Sequence, residues 1–353
     1  MSGNSMGIGM IGLGGMFRHH LKLVNELEYV EIEALCDVNE EQMRIVAEEL
    51  GINEDKLYTN YEAIIRDPKV HAVISIVPNR YHAEILRLCI AHGKPVMSEK
   101  PFTRNYEEAK ELKDLYDLHP IPCMVGFSYR YVPSFRLAKQ LLADGRLGPI
   151  QHIFVQYLQE WGAAPFKTPY SWRFSQTESG TGALGDLGSH MIDCARYLVG
   201  EFTSISGQLS TMVEKRKLSK TDDTLIQVDV DDFSSFQADL EGGVKGVFQT
   251  SRNAIGCGNQ LEVTLYGEQG AIRVCCERPE QLDYWSIVPG EERAVHETLQ
   301  VPSKFRRNQL DDFLDLLHWR EVPGAPSFKD GYENQRVLDA IIRSSATRAW
   351  IEL

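Results

Sequence analysis

The sequence predicts an α/β protein in two parts: an N-terminal doubly wound parallel sheet, then an α+β domain built on a large, mainly antiparallel open sheet. Three observations predict it. Over residues 6–126, short and nearly continuous apolar runs alternate with helical patterns, as parallel strands covered on both faces require. The first run ends in a glycine-rich turn, Gly12-Leu13-Gly14-Gly15, that opens a helix. From about residue 128 the rhythm changes to long strand-like segments with hairpin turns such as Glu241-Gly242-Gly243 and Gly267-Glu268-Gln269-Gly270. At 353 residues the chain exceeds one ordinary core, and the change of rhythm divides it into domains 1–127 and 128–353.

Taken in order, the buried strands of the first domain are expected at 8–13, 30–36, 72–77, 95–98 and 121–127. Helices are expected at 18–28, 40–50, 61–66, 81–92 and 106–118. The second domain begins with a helix at 134–143 and a strand at 150–158. A polar, tryptophan-rich stretch and a glycine-spaced segment, 180–200, follow; the second half of that segment reads as helix. Strands are then expected at 203–213, 225–239, 244–252, 260–266 and 270–276, and helices at 309–319 and 331–350 close the chain.

Composition narrows the partners. Thirty-seven basic against fifty acidic residues give a net charge of −13, a field that repels phosphate backbones, so nucleic acid is not an expected partner. The seven cysteines include no C-x-x-C pair and sit mostly in apolar runs, which reads as free thiols in a reducing compartment. No run reaches the ~20 apolar residues of a membrane span, and Met1-Ser2-Gly3-Asn4-Ser5 carries no basic leader. A cytoplasmic protein is expected.

The segment Ile11-Gly12-Leu13-Gly14-Gly15-Met16-Phe17 sits between a strand and a helix. There the first glycine permits a tight turn, the second admits a pyrophosphate, and the helix N-terminus offers amide groups. Gly12, Gly14, Gly15 and Met16 are the candidate contacts of a Rossmann dinucleotide site; Phe17 stands where glycine or alanine is usual. Asp37, at the end of the second strand, is placed to accept the ribose hydroxyls; the competing reading is a helix N-cap. Val38 and Asn39 follow it with no arginine for a 2′-phosphate, which favours NAD over NADP.

Further on lie Val77-Pro78-Asn79-Arg80-Tyr81-His82, Glu99-Lys100-Pro101 and Gly126-Phe127-Ser128-Tyr129-Arg130-Tyr131. With the glycine turn, these segments resemble the glucose–fructose oxidoreductase/inositol dehydrogenase (Gfo/Idh/MocA) family over essentially the whole chain. The resemblance implies that Pro78, Asn79, His82 and Glu99 lie beside the cofactor. It also implies that Lys100 serves cofactor, substrate and catalysis, and that Arg130 meets the substrate. Strand ends facing the crevice of an open α/β sheet agree with this; the plain alternative for Lys100 is a surface lysine, and for His82 a structural histidine. Whether Lys100–Pro101 is cis is open at this stage.

The segment Gly182-Ala183-Leu184-Gly185-Asp186-Leu187-Gly188-Ser189-His190 carries the chemistry. Asp186 and His190 are four apart and share a helix face, so the carboxylate can orient the imidazole; Asp193 is a second candidate partner. An isolated pair of this kind is usually structural. The resemblance implies that Asp186 and His190 act with Lys100: His190 as acid/base, Asp186 orienting it, Lys100 orienting the reacting hydroxyl. Tyr157, Trp172 and Arg173 add aromatic and polar groups suited to a sugar ring. Trp161 and Trp172 read equally as core aromatics, and Arg173 as the partner of a nearby acid.

The leading expectation is an NAD-dependent enzyme oxidising a ring secondary hydroxyl of a sugar, glycoside or inositol to a ketone. The alternative is a catalytically inactive NAD- and sugar-binding regulator of the same fold; a third reading, oxidation-assisted glycosidase chemistry, lacks its motif context. No metal site is expected. The resemblance implies a homodimer or homotetramer through the C-terminal sheet, although hydrophobic alternation over 225–252 reads as irregular.

Overall fold

The apolar run at β1 (Met6–Ile11) is flanked on one side by β2 (Val30–Cys36) and on the other by β4 (Ala72–Ser75), and all three run parallel. The computed structural model describes residues 5–318 and 320–353. After β1 come α1 (Phe17–Asn25), β2, α2 (Glu40–Leu50), β3 (Leu57–Tyr58), α3 (Tyr61–Arg66), β4, α4 (His82–Ala91), β5 (Val96–Ser98), α5 (Tyr106–Leu118) and β6 (Cys123–Val125). The sheet order is β3-β2-β1-β4-β5-β6, so the strand order reverses between β1 and β4, where an open α/β sheet binds its ligand. Three of these helices, α2, α3 and α5, start at side-chain caps: Asn39, Asn60 and Asn105 accept amides of Gln42, Glu62 and Glu108, filling donors a helix start leaves bare. β3 escapes the sequence reading because two half-buried residues make no apolar run. These elements form one unit, up to Gly126, joined by Asn308–Tyr332, a stretch the sequence reading places after its only division.

The second unit comprises Phe127–Arg307 and Glu333–Leu353. It begins with α6 (Pro133–Ala143), β7 (Ile150–Leu158) and α7 (Gln176–Ser179). One π-helical turn, Leu184–Gly188, then leads directly into α8 (Ser189–Leu198). Next are β8 (Phe202–Ser210), β9 (Lys215–Lys217), β10 (Leu225–Gln227), β11 (Phe233–Leu240), β12 (Lys245–Ser251), β13 (Gln260–Gly267), β14 (Gly270–Cys275), β15 (Gln281–Ser286) and β16 (Val295–Gln300). Helices α9 (Gln309–Leu317) and α10 (Phe328–Thr347) precede β17 (Ile351–Glu352); Trp319, the expected end of a helix, lies outside the described residues. Nine strands form one sheet in the order β16-β15-β14-β13-β7-β12-β11-β8-β17. Its described pairs are antiparallel except β7 with β12, which run parallel, so the sheet is mixed and mainly antiparallel.

One expected strand, 225–239, breaks in two. β10 pairs with β9 in a separate ribbon, while β11 joins the large sheet. The cause lies in three aspartates between them. Asp229 accepts the Gln176 amide at 2.7 Å, Asp231 those of Gly182 and Leu184, and Asp232 those of Met212 and Val213 at 3.0 and 2.8 Å. Carboxylates bonded to backbone elsewhere draw this stretch out of a ladder.

The helical segment beds onto the sheet: Leu184, Leu187, Met191 and Ile192 share one buried cluster with Val155, Phe248, Val263 and Ile272. Side chains of β12 alternate as far as Thr250, with Phe248 buried and Val247 exposed. The register sets Val247 beside Phe154, and Phe154 meets Tyr266 ring to ring at 5.9 Å. All three are over 40% exposed (45%, 44% and 42% for Phe154, Val247 and Tyr266), an apolar group on the sheet's outer face. The alternation that looks irregular in the sequence is regular once 228–232 is set apart.

Candidate active site

In the first unit, Gly12 has φ +92°, and a Cβ there would lie 2.7 Å from the carbonyl oxygen of Ile76, so only glycine fits between β1 and the loop after β4. Gly14 and Gly15 differ: nothing stands within 4 Å of a Cβ on either. Met16 precedes α1 with no side-chain cap, so no side-chain anion occupies the positive end of that helix. Phe17, in place of a small residue, is buried at the start of α1. Asp37 holds the turn: its Oδ2 accepts the Leu13 amide at 2.7 Å and its Oδ1 the Asn39 amide at 2.8 Å. The cap of α2 is Asn39, so the N-cap alternative for Asp37 falls away. Carboxylate oxygens accept more than one bond, and the donor set around Gly12, Gly14, Gly15 and Asp37 fits a dinucleotide.

The strand ends on the same sheet carry the next group. Pro78 precedes a short 3₁₀ turn that begins at buried Asn79. Lys100 follows β5 and Glu99, is half-buried, and joins Pro101 through a cis bond. Glu99 reaches back to α1: its Oε1 lies 2.7 Å from Nε2 of His20, and its Oε2 accepts the Lys100 amide at 3.2 Å. His20 thereby ties α1 to the lysine loop. His82, expected beside the cofactor with a structural role as the alternative, is wholly buried, with Nδ1 2.7 Å from the Pro101 carbonyl and Nε2 2.9 Å from that of Val77. Both ring nitrogens serve the loops that carry Pro78 and Lys100.

In the second unit, Asp186 belongs to the π-helical turn and His190 to the first turn of α8. His190 is 6% exposed. Tyr129 stands edge-on to its ring at 4.7 Å between centroids, with Tyr157 at 6.1 Å and Phe127 at 6.3 Å. The hydroxyls of Tyr129 and Tyr157 are 2.5 Å apart, and Asn259 joins both, at 2.9 and 2.7 Å. Gln159 donates to the same Asn259 at 2.6 Å and accepts from Trp161. Burial pushes the Tyr129 hydroxyl up to about 12, so this chain stays neutral at ordinary pH. Asn259 is a residue that sequence reading missed; a lone asparagine after a glycine-rich turn carries no signal.

Arg173 stacks over Trp172 at 4.4 Å and pairs with Asp186 at 4.0 Å. Trp161 packs against the small cluster of Phe174, Val228 and Val230, which favours its core reading. Arg130, expected to meet the substrate, is 4% exposed and grips Asp193 with two bonds, Nε to Oδ2 at 2.9 Å and Nη2 to Oδ1 at 2.6 Å. Asp193, the expected second partner of His190, is thus engaged by Arg130. The i, i+3 spacing holds, but the guanidinium, arriving from 63 residues away, forms the bidentate pair.

Against known proteins, residues 6–127 match the oxidoreductase family with an NAD-binding Rossmann fold, and residues 135–273 the Gfo/Idh/MocA C-terminal domain. Levoglucosan dehydrogenase of Pseudarthrobacter phenanthrenivorans is 30% identical over 99% of this chain and 98% of its own length. A solved structure of levoglucosan dehydrogenase with NADH and levoglucosan superposes with a TM-score of 0.90 at 30% identity, covering 99% of both chains. Glucose-6-phosphate 3-dehydrogenase of Bacillus subtilis is 28% identical over 94% of each chain. With the glycine turn, the lysine loop and the His190 segment all in place, the chain belongs to the Gfo/Idh/MocA family of oxidoreductases and carries that family's NAD-binding Rossmann domain.

Proposed function

We propose that this protein oxidises a ring secondary hydroxyl of a sugar, glycoside or inositol to a ketone, reversibly. A dinucleotide held by Gly12, Gly14, Gly15, Met16 and Asp37 would supply the hydride acceptor for the carbinol carbon. His190 takes the hydroxyl proton, Asp186 sets the orientation and charge of that imidazole, and Lys100 orients the reacting oxygen. Trp172, Arg173 and Tyr157 wall the ring. The observation that carries the reading is the setting of His190, 6% exposed behind Tyr129 and Tyr157, on the segment that also bears Asp186. A nearly buried imidazole on the same segment as a carboxylate suits a general base. Named relatives that act on levoglucosan, glucose 6-phosphate and inositols support the substrate class.

The test is a screen for NADH formation with levoglucosan, myo-inositol, scyllo-inositol, glucose and glucose 6-phosphate, repeated with His190→Ala. The substitution is expected to lower kcat roughly 10²–10⁴-fold while NADH still binds. Turnover unchanged by it sinks the mechanism; NADH and sugar binding without turnover on any probe favours the regulator instead. The exposed group of Phe154, Val247 and Tyr266 supports a homodimer or homotetramer through the outer sheet face, and a monomeric mass by light scattering sinks that expectation.

A further inference from the structure

The segment bearing Asp186 and His190 starts on a residue far from it in sequence. Asp231, 5% exposed, lies in the stretch between β10 and β11. Its Oδ1 accepts the Gly182 amide at 2.8 Å, its Oδ2 the Leu184 amide at 2.7 Å, and its own carbonyl the Ala183 amide at 2.9 Å. Three consecutive amides at the head of a helical segment, groups otherwise without intrahelical partners, thus end on one residue. The approach is close enough that a Cβ at Gly182 would lie 1.8 Å from the Asp231 carbonyl oxygen. Two residues downstream the chain winds as the π-helical turn, a form rare in proteins and concentrated at functional sites.

We infer that Asp231 is the positioning residue of the acid/base segment: by clamping the amides of 182–184 it sets where the wide turn begins and hence where Asp186 and His190 stand. The inference rests on the dehydrogenase reading above. The clamp has what a merely space-filling aspartate lacks. Its bonds run to backbone, so they fix the chain rather than a side chain, and both carboxylate oxygens are used. Burial pushes its carboxyl above the ordinary range, while the charge of Arg252 and the amides of Leu184 and Gly182 pull the other way. Arg252 is itself fully buried, between the rings of Trp161 and Phe174. The neighbours serve other ends: Asp229 takes the Gln176 amide, and Asp232 those of Met212 and Val213.

The test compares Asp231→Asn, Asp229→Asn and His190→Ala with the parent, using levoglucosan and myo-inositol as probes. Each rate is divided by the number of NADH-binding sites counted by fluorescence titration. An amide in place of the carboxylate turns a donor toward one of the clamped N–H groups. Displacement of reacting groups by about 1 Å costs on the order of 10²-fold, so Asp231→Asn is expected to lose about 10- to 100-fold in kcat per site, with the KM for NAD unchanged. Asp229→Asn is expected to keep the parental kcat. A merely structural role would lower the count of folded sites and leave kcat per site intact, which overturns the inference. Loss of rate in His190→Ala together with parental kcat in Asp231→Asn overturns it while sparing the dehydrogenase reading; parental rates in His190→Ala overturn that reading itself. Should Asp231→Asn not fold, hydrogen exchange on the parent decides. The amides of Ala183 and Leu184 are expected to exchange about 100-fold slower than those of the exposed loop 219–222, and equal rates overturn the clamp.

Discussion

Gly12 and Gly182 are both glycines because a carbonyl oxygen occupies the place of a Cβ, that of Ile76 at 2.7 Å for the first and that of Asp231 at 1.8 Å for the second. Each heads a helical segment, but the two heads are finished differently. Beyond Gly12, the N-terminus of α1 has no side-chain cap, and Gly14 and Gly15 face open space. Beyond Gly182 the amides already end on the carboxylate of Asp231. The first head awaits an anion from outside; the second has its anion built in. No side chain caps the start of α1, where the Phe17 and His19 amides bond the carbonyls of Gly14 and Met16, whereas the segment after Gly182 ends on a carboxylate of its own chain.

The sharpest challenge to that contrast is Arg130, since the second segment is held downstream as well. Arg130 and Asp193 are 5% and 1% exposed and bonded at two points, and the guanidinium also lies over Tyr197 at 5.2 Å. Removing one partner of a buried pair strands the other charge, at about 3–5 kcal/mol. Arg130→Met is therefore expected to lower unfolding stability by that amount in denaturant titrations, with the sugar KM per folded site unchanged. Adding Asp193→Leu should restore most of the loss, because the stranded carboxylate goes with it. A raised sugar KM at parental stability would return Arg130 to the substrate and leave α8 without this anchor.

The same contrast explains how much the sequence discloses. The nucleotide head is written in adjacent residues: strand, turn, helix, then Asp37 at a set distance, each readable from local pattern. The doubly wound sheet follows from the same alternation, and only β3, two residues long, escapes it. Asp186 and His190 are legible by spacing too. What positions them is not, because Asp231 lies 49 residues from Gly182, and Arg130 63 from Asp193. Sequence reading placed Asp231 inside a strand and Arg130 on the substrate, since β-like composition and a family position are local signals while a clamp is not. The edge strand β16 and its neighbour β15 went unseen for a related reason. β16 is polar and mostly exposed, and it is ordered by a neighbour rather than by its own pattern.

A smaller effect separates what the first head needs for itself from what it offers. At Gly12 an alanine meets both a positive φ and the Ile76 carbonyl. Such backbone strain costs about 1–3 kcal/mol, so Gly12→Ala should lose stability and NADH affinity together. At Gly14 nothing among the described residues beyond its chain neighbours lies within 4 Å of an added Cβ, and its φ is not in the left-handed region. Gly14→Ala is therefore expected to melt with the parent yet bind NADH about tenfold more weakly, roughly 1.4 kcal/mol, because the added methyl intrudes only on the ligand. Parental NADH affinity in Gly14→Ala would mean that the pyrophosphate does not sit at this turn. The missing side-chain cap of α1 would then need another explanation, and the contrast with the clamped head at Gly182 would lose its functional half.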